Sequence, residues 1–426
     1  MATHDTDNLG NQALEPVAPH DRVFSWHAQA SLWFSMGVGL LVMQVGAYLV
    51  PGASTQDAAL AIVLGSLLGS ALLAWTARVA CNTGLTSAGL MHHTYGRYFA
   101  RLPILLNITQ LIGWTTFELV IMRDGTSAIA KQSLGLDAQS PVVLVGATVL
   151  WGGVLALLLS GSMTRLVRQV IGRFGLPLVI TSLLWLSWQF GTQLQHAGLD
   201  AFWAKKGDAS MGLLSAMDLV IGMPVSWLPL VADYARHGRS GRGAMSGTFV
   251  GYAVANIWCY VLGVVVVTVG PPNVDLVSAL LLAQGGLLAL SLILVDEIDN
   301  AYGDSYSAAV CAHSIKPQWT IRRWGVGLAV LCTLLALVFP IHSIEPFLLL
   351  LSSVFVPLYG VILGRMGSGV VPHLRTPKGI DLVAAALWLA GFALFRAITL
   401  WAPQWGATLP TLALTFALAW LTRPKA

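Results

Sequence analysis

Residues Ser291 to Ala309 read SLILVDEIDNAYGDSYSAA. The stretch begins as an apolar helix and then sets Asp296, Glu297, Asp299 and Asp304 close together, with Asn300 among them. At about 100° per residue, Asp296, Asp299, Asn300, Gly303 and Ser307 share one helical face. Glu297, Asn300 and Asp304 fall on an overlapping stripe. In a bilayer each ionised carboxylate is costly unless it meets a cation, a donor or water. The plainer reading ends the apolar part near Val295 and leaves the acids solvated. The topology of the whole chain argues for the intramembrane one.

Composition sets that topology. Of the 426 residues, 56% are hydrophobic and only 10% charged, where a soluble domain carries about 25% charged. Mean hydropathy is +0.73. The chain reads as an all-α polytopic membrane protein, so the net charge of +4 says little about nucleic acid, and the partner implied is the lipid bilayer. No obligate protein partner is implied. Cys81, Cys259, Cys311 and Cys332 are scattered without a CxxC, which indicates neither a disulfide framework nor a zinc site. Residues 1–27 read as a polar cytoplasmic tail, disordered to about Arg22, without a signal-peptide pattern.

Hydropathy predicts twelve spans, at about 28–50, 57–77, 102–128, 141–161, 171–192, 212–233, 246–269, 279–309, 324–342, 346–365, 381–400 and 405–422. With the N-terminus inside, every Lys and Arg falls in a cytoplasmic segment except Lys131, Lys205 and Lys206 outside, and Arg123 and Arg396 within or near spans. That imbalance fits the positive-inside rule, with both termini cytoplasmic in a plasma membrane, the inner membrane in a bacterium.

Three spans carry further signals. The first, SLWFSMGVGLLVMQVGAYLVPG, is interrupted by Gly37, Gly39 and Gly46 and holds Gln44; small-residue helix packing is the simpler explanation. The sixth, AMDLVIGMPVSWLPLVADYAR, carries Gly222, Pro224 and Pro229, which predict a break or kink. Broken helices five spans apart point to an inverted-repeat transporter that binds substrate and ion at unwound backbone. The third, NITQLIGWTTFELVIMRD, aligns Asn107, Gln110, Trp114 and Glu118 on one stripe. An aromatic plane one turn from a carboxylate can stack a flat heterocycle and accept hydrogen bonds from its edge. Core packing of Trp114 and pairing of Glu118 with Arg123 are the alternatives. Spans three and eight are symmetry mates in a five-plus-five scheme, and both carry acids.

Enzyme readings find no anchor: HExxH, P-loop, GxSxG and kinase signatures are absent. His92 and His93, adjacent in AGLMHHTYGRYFARLP, cannot share a helical face and are expected at the surface. The 16 Trp residues fall mostly near span ends, as in an aromatic belt, with Trp114 the exception.

SLWF in the first span, TGLTSAGLMHHTYGRYFARLP leading into IGW, ADYAR with its glycine-bearing basic loop, and DNAY in the eighth span together resemble the nucleobase–cation symporters, first family. The match covers most of spans one to ten. VDEIDNAYGDSYSA and MPVSWLPLVADYAR look closest to the branch associated with hydroxymethylpyrimidine, the pyrimidine precursor of thiamine. The resemblance implies a leucine-transporter-like fold: repeats at 28–192 and 193–365, with residues 366–426 forming two peripheral helices. It places substrate at Trp114 and Glu118, where Glu118 replaces the amide usual in the family; a carboxylate there accepts from an amine and a ring N–H, or holds a protonated aminopyrimidine. Gln110, Gly39, Ser226, Trp227 and Asn300 complete the expected substrate set, with the sixth-helix breakpoint at about Met223 to Trp227. Coupling to Na+ or H+ is expected at Gly37, Leu40, Asp296 and Asp299, with Gly37 and Asp296 as possible Na+ ligands and no cofactor. The acids stand where relatives show Thr and Asn, which leaves the ion open. The leading expectation is cation-coupled import of a small pyrimidine, hydroxymethylpyrimidine or cytosine-like; a permease of the same fold for a purine, hydantoin or amino acid is the alternative.

Overall fold

The computed structural model describes residues 13–163, 175–271, 274–338, 344–367 and 379–423. Arg165, Arg168, Arg173, Arg375, Lys378 and Lys425, used above for topology, lie outside them, as do residues 1–12 of the tail.

The described chain is helical, with no strand named. The helices are α1 (Trp26–Ser35), α2 (Leu40–Leu49), α3 (Thr55–Thr83), α4 (Ser87–Tyr95), α5 (Arg101–Leu134), α6 (Pro141–Leu159), α7 (Leu176–Ala197) and α8 (Leu199–Trp203). They continue as α9 (Leu213–Ala235), α10 (Gly241–Val269), α11 (Leu276–Leu282), α12 (Gly286–Ile315), α13 (Ile321–Val338), α14 (Ile344–Met366), α15 (Leu382–Trp401) and α16 (Thr408–Leu421). Among the described residues eight helices are long and apolar enough to cross a membrane, nine when α1 and α2, bent by 60° at their junction, count as one span. The remaining expected spans are helical too, but α7 carries Gln189, Gln193, Gln195 and His196, α12 carries the acids, and α16 has 14 residues.

Contacts between spans follow a repeat. The second span (α3) lies against the sixth (α9), as the seventh (α10) lies against the first (α1 with α2). The third (α5) runs along the eighth (α12), and the fourth (α6) along the ninth (α13). Exchanging each span for the one five away maps this pattern onto itself, as a five-plus-five repeat requires. Small residues let the mated pairs approach. A Cβ on Gly69 of α3 would sit 2.2 Å from the Pro224 ring of α9, and one on Gly251 of α10 would sit 2.3 Å from the Ala30 carbonyl of α1. The peripheral α15 and α16 pack on α14.

Several expectations change here. The sixth span is one continuous helix through both prolines. Pro224 has no N–H for the Val220 carbonyl, and Tyr260 Oη donates to that carbonyl instead, at 3.0 Å. Around Pro229, Asn107 Nδ2 donates to the Pro229 carbonyl and Gln110 Nε2 to the Ser226 carbonyl, each at 3.2 Å. The eighth span begins later than expected: α11 is separate, and Gly285, at φ 69°, turns the chain into α12. The third helix extends past residue 128 to Leu134.

The tail is anchored from Ala13 onward, where Thr86 Oγ1 donates to the Ala13 carbonyl at 2.6 Å and Val17 N to Gly84 O at 2.9 Å. His92 is not at the surface but buried in α4, where burial and the neighbouring His93, Arg101 and Arg97 push its ring down to about 4. Trp114 is not the sole inward tryptophan, since Trp33, Trp227 and Trp388 are buried as well.

Candidate functional site

The first span breaks between Met36 and Gly39, and α12 runs beside the break. The four residues that join α1 to α2 leave the backbone groups at both helix ends without intrahelical partners. Side chains of α12 meet them. Asn300 Nδ2 donates to the Val38 carbonyl at 3.1 Å, and the Leu40 amide, at the N-terminus of α2, donates to Glu297 Oε1. Ser35, the last residue of α1, sits with its Oγ 2.9 Å from Asp296 Oδ1 and 3.2 Å from Asp299 Oδ2. One helix therefore holds both halves of a broken one. The acids are buried, so the solvated reading of this stretch does not apply.

On one side of the break lies a cavity lined by Gly39, Trp114, Glu118, Ser226, Trp227 and Asn300, all expected from the sequence. It is also lined by Glu297, Asp304, Met36 and Met223, which the sequence reading did not assign to a site. Glu297 and Asp304 had a signal, since they share the i, i+3, i+7 stripe with Asn300. The cavity measures about 10 Å³, space for a water and not for a ring; admitting a heterocycle requires its walls to part. Gln110 lies outside the lining. It spans from α5 to α9, donating to Asn107 Oδ1 (3.0 Å) and the Ser226 carbonyl, while its Oε1 accepts from none of the described residues.

Trp114 stands edge-on to Phe347 of α14, ring centres 5.1 Å apart, and Trp227 edge-on to Trp33 of α1 at 6.2 Å. Phe347 gave no sequence signal, because nothing local ties α14 to α5. Glu118 does not pair with Arg123, which binds Asp124 at 2.7 Å and the Ala336 carbonyl at 2.8 Å. Instead the Glu118 and Glu297 carboxyl groups lie within hydrogen-bonding reach of each other. Glu118 Oε2, Asn300 Oδ1 and the Trp114 indole N–H are buried without a hydrogen-bond partner among the described residues.

The second cluster is Ser35, Asp296 and Asp299. Asp296 Oδ2 is buried and has no hydrogen-bond partner among the described residues. A hydroxyl has one proton to donate, so Ser35 serves one carboxylate at a time, and a buried pair of like charges is costly without a cation or a proton between them. These hard oxygens suit Na+ as well as H+. Of the other expected ion residues, Leu40 contributes its amide to Glu297, and Gly37 abuts α10, where an added Cβ would meet Ala255 at 2.8 Å. Among the described residues no group of three or more His, Cys, Asp or Glu is arranged to hold a metal ion.

A vestibule of about 1250 Å³ opens beyond the break, walled by Leu40, Gln44, Arg123, Lys131, Asp275 and Leu281 among others. Leu40 lines the vestibule while its neighbours Gly39 and Leu41 line the cavity. The two spaces therefore meet the same first turn of α2.

Known proteins share this fold. Mhp1, a nucleobase-cation-symport-1 family transporter, in a closed conformation with bromovinylhydantoin bound, superposes with a TM-score of 0.79 over 97% of this chain and 94% of its own, at 16% identity. The inward-facing conformation of Mhp1 gives 0.74 over 96% and 92%, at 17% identity. The cytosine permease of Escherichia coli strain K12 is 22% identical over 370 residues, 84% of either chain. The model of the permeases for cytosine/purines, uracil, thiamine and allantoin matches residues 16–422, and the chain accordingly belongs to that family of membrane transporters and is not an enzyme.

Proposed function

We propose that the protein imports a small pyrimidine, hydroxymethylpyrimidine or a cytosine-like base, driven by a gradient of Na+ or H+. The observation that carries this reading is the position of α12. Its Glu297 and Asn300 face the cavity with Trp114 and Glu118, while its Asp296 and Asp299 hold Ser35 at the end of α1. An ion at the second cluster and a ring in the first would both act on the broken span, which gives the linkage that coupling needs. Trp114 supplies a stacking plane, and Glu118 and Asn300 supply acceptors for an amine and a ring N–H. The distribution of basic residues supports an exterior vestibule, on the side from which an importer takes its substrate.

An amino-acid substrate fits less well. Its carboxylate needs a cation or a free helix N-terminus, and the Leu40 amide of α2 is already taken by Glu297. Binding of labelled cytosine and hydroxymethylpyrimidine to the purified protein tests the reading: one of them binds, and an amino-acid mixture does not displace it. Displacement by amino acids, or no binding of either pyrimidine, would refute it.

A further inference from the structure

The polar groups of the cavity are unequal in kind. Three of its walls' side chains are carboxyls, Glu118 from α5 and Glu297 and Asp304 from α12, and no Lys, Arg or His among the described residues lines it. The buried oxygens of Glu118 and Asn300 that have no partner among the described residues add acceptors, against two free donors, the indole N–H groups of Trp114 and Trp227. Glu297 is the carboxyl best held: the first amide of α2 and Asn300 Nδ2, at 3.2 Å, both donate to it, and a helix N-terminus favours negative charge. Gly39 leaves it room, since a Cβ there would stand 3.1 Å from Glu297 Oε2. Charges this deep are rare unless they are paired, and the lining offers no protein cation to pair with.

From this we infer that the substrate itself brings the positive charge: a flat amino-substituted heterocycle bound with its ring nitrogen protonated, Glu297 being the counter-ion that sets specificity and Glu118 the acceptor facing it. The inference rests on the pyrimidine reading above and narrows it, because uncharged oxo-pyrimidines, rich in acceptors, meet three carboxyls and the Asn300 amide oxygen against only the two indole donors. An inorganic cation lodged between the carboxyls would satisfy the same electrostatics, so the test separates the two sources. Apart from the three carboxyls named, Asp296 and Asp299 are the other acids on this part of α12, and the Cys259 thiol of α10 interacts with Glu297 and Asp296; α2 and α9 present no titratable side chain to the cavity.

The probes are 2,4-diaminopyrimidine, whose ring protonates near neutrality, and uracil, which stays neutral and carries oxo groups. Affinity of the purified full chain for each is measured at pH 6 and pH 8, with and without Na+. The expected result is a preference of about tenfold or more for diaminopyrimidine, larger at pH 6 than at pH 8. Glu297→Gln shrinks that preference about tenfold while Trp114 still supports ring binding. The wild-type comparison decides the matter even where the variant is unstable. Uracil bound as tightly as diaminopyrimidine at both pH values overturns the inference and leaves pyrimidine import standing. So does uracil binding that rises with Na+ and loses its Na+ dependence in Glu297→Gln, which would assign the charge to the ion. If neither probe binds, the pyrimidine reading falls and this inference with it.

Discussion

Ser35 has one hydroxyl proton and two carboxylates within reach, 2.9 and 3.2 Å away. That imbalance makes Asp296 and Asp299 the place to look for the coupling ion. Asp296→Asn or Asp299→Asn is expected to abolish concentrative uptake while substrate binding and exchange persist, as counterflow and equilibrium binding would show. Wild-type accumulation in both variants would reduce the pair to a structural role. Trp114 acts in the other cluster. Base-on-aromatic stacking contributes about 1–3 kcal/mol, so Trp114→Ala is expected to weaken binding about tenfold to a hundredfold, and Trp114→Phe less. An unchanged affinity would remove α5 from the site. The stripe Asn107–Gln110–Trp114–Glu118 was legible because a helix repeats every 3.6 residues. Its division of labour was not, because Gln110 turns to a carbonyl of α9 that no local pattern announces. Glu297 had its place on the Asn300 stripe, but its role was not legible for a similar reason: its partner, the Leu40 amide, lies 257 residues away in sequence.

Helix α9 shows why a proline-rich span need not break. Pro224 and Pro229 remove donors, but Tyr260, Asn107 and Gln110 arrive from two neighbouring helices to meet nearby carbonyls. Such compensation is tertiary, and the sequence of α9 alone contains only the defect. The break in the first span was the legible one, since Gly37 and Gly39 there have no prolines to compensate and two helix ends to leave open. The fit of α9 on α3 depends on Gly69. Gly69→Leu, whose Cβ alone would overlap the Pro224 ring, is expected to lower the thermal midpoint in detergent sharply or prevent recovery of folded protein. Gly153→Ala, with nothing within 4 Å of the added carbon, is the matched control and should change little.

Helix α4 gives a pH signature. His92 has its ring held near 4 against an ordinary 6.5, so below about 6.5 the unfolded chain takes up protons that the folded chain refuses. This group's contribution is present above 6.5 and is lost as pH falls toward 4. His92→Asn is expected to flatten stability across that window in a pH series of thermal midpoints; an unaltered slope would show that His92 is not the cause.

At the scale of the whole molecule, composition and hydropathy sufficed for a polytopic helical membrane protein, and breaks expected in spans one and six, five apart, pointed to the repeat, although only the first span is broken. The repeat's contacts, α3 on α9 and α10 on the first span, needed three dimensions. The basic residues predict the side of the membrane on which each loop lies. Single cysteines at Arg239 and Lys205, both exposed, are expected to label from opposite faces, with Arg239 inside. Labelling from the same face would undo the topology and, with it, the exterior position of the vestibule. The claim that joins all scales is that one cavity at the broken span binds a pyrimidine whose import is driven by an ion. Uptake of labelled pyrimidine into proteoliposomes tests it directly, under an imposed Na+ or H+ gradient. The account predicts accumulation above equilibrium under one of the two gradients, collapsed by the matching ionophore and severely reduced in Trp114→Ala; equilibration to the same level with and without either gradient would contradict it.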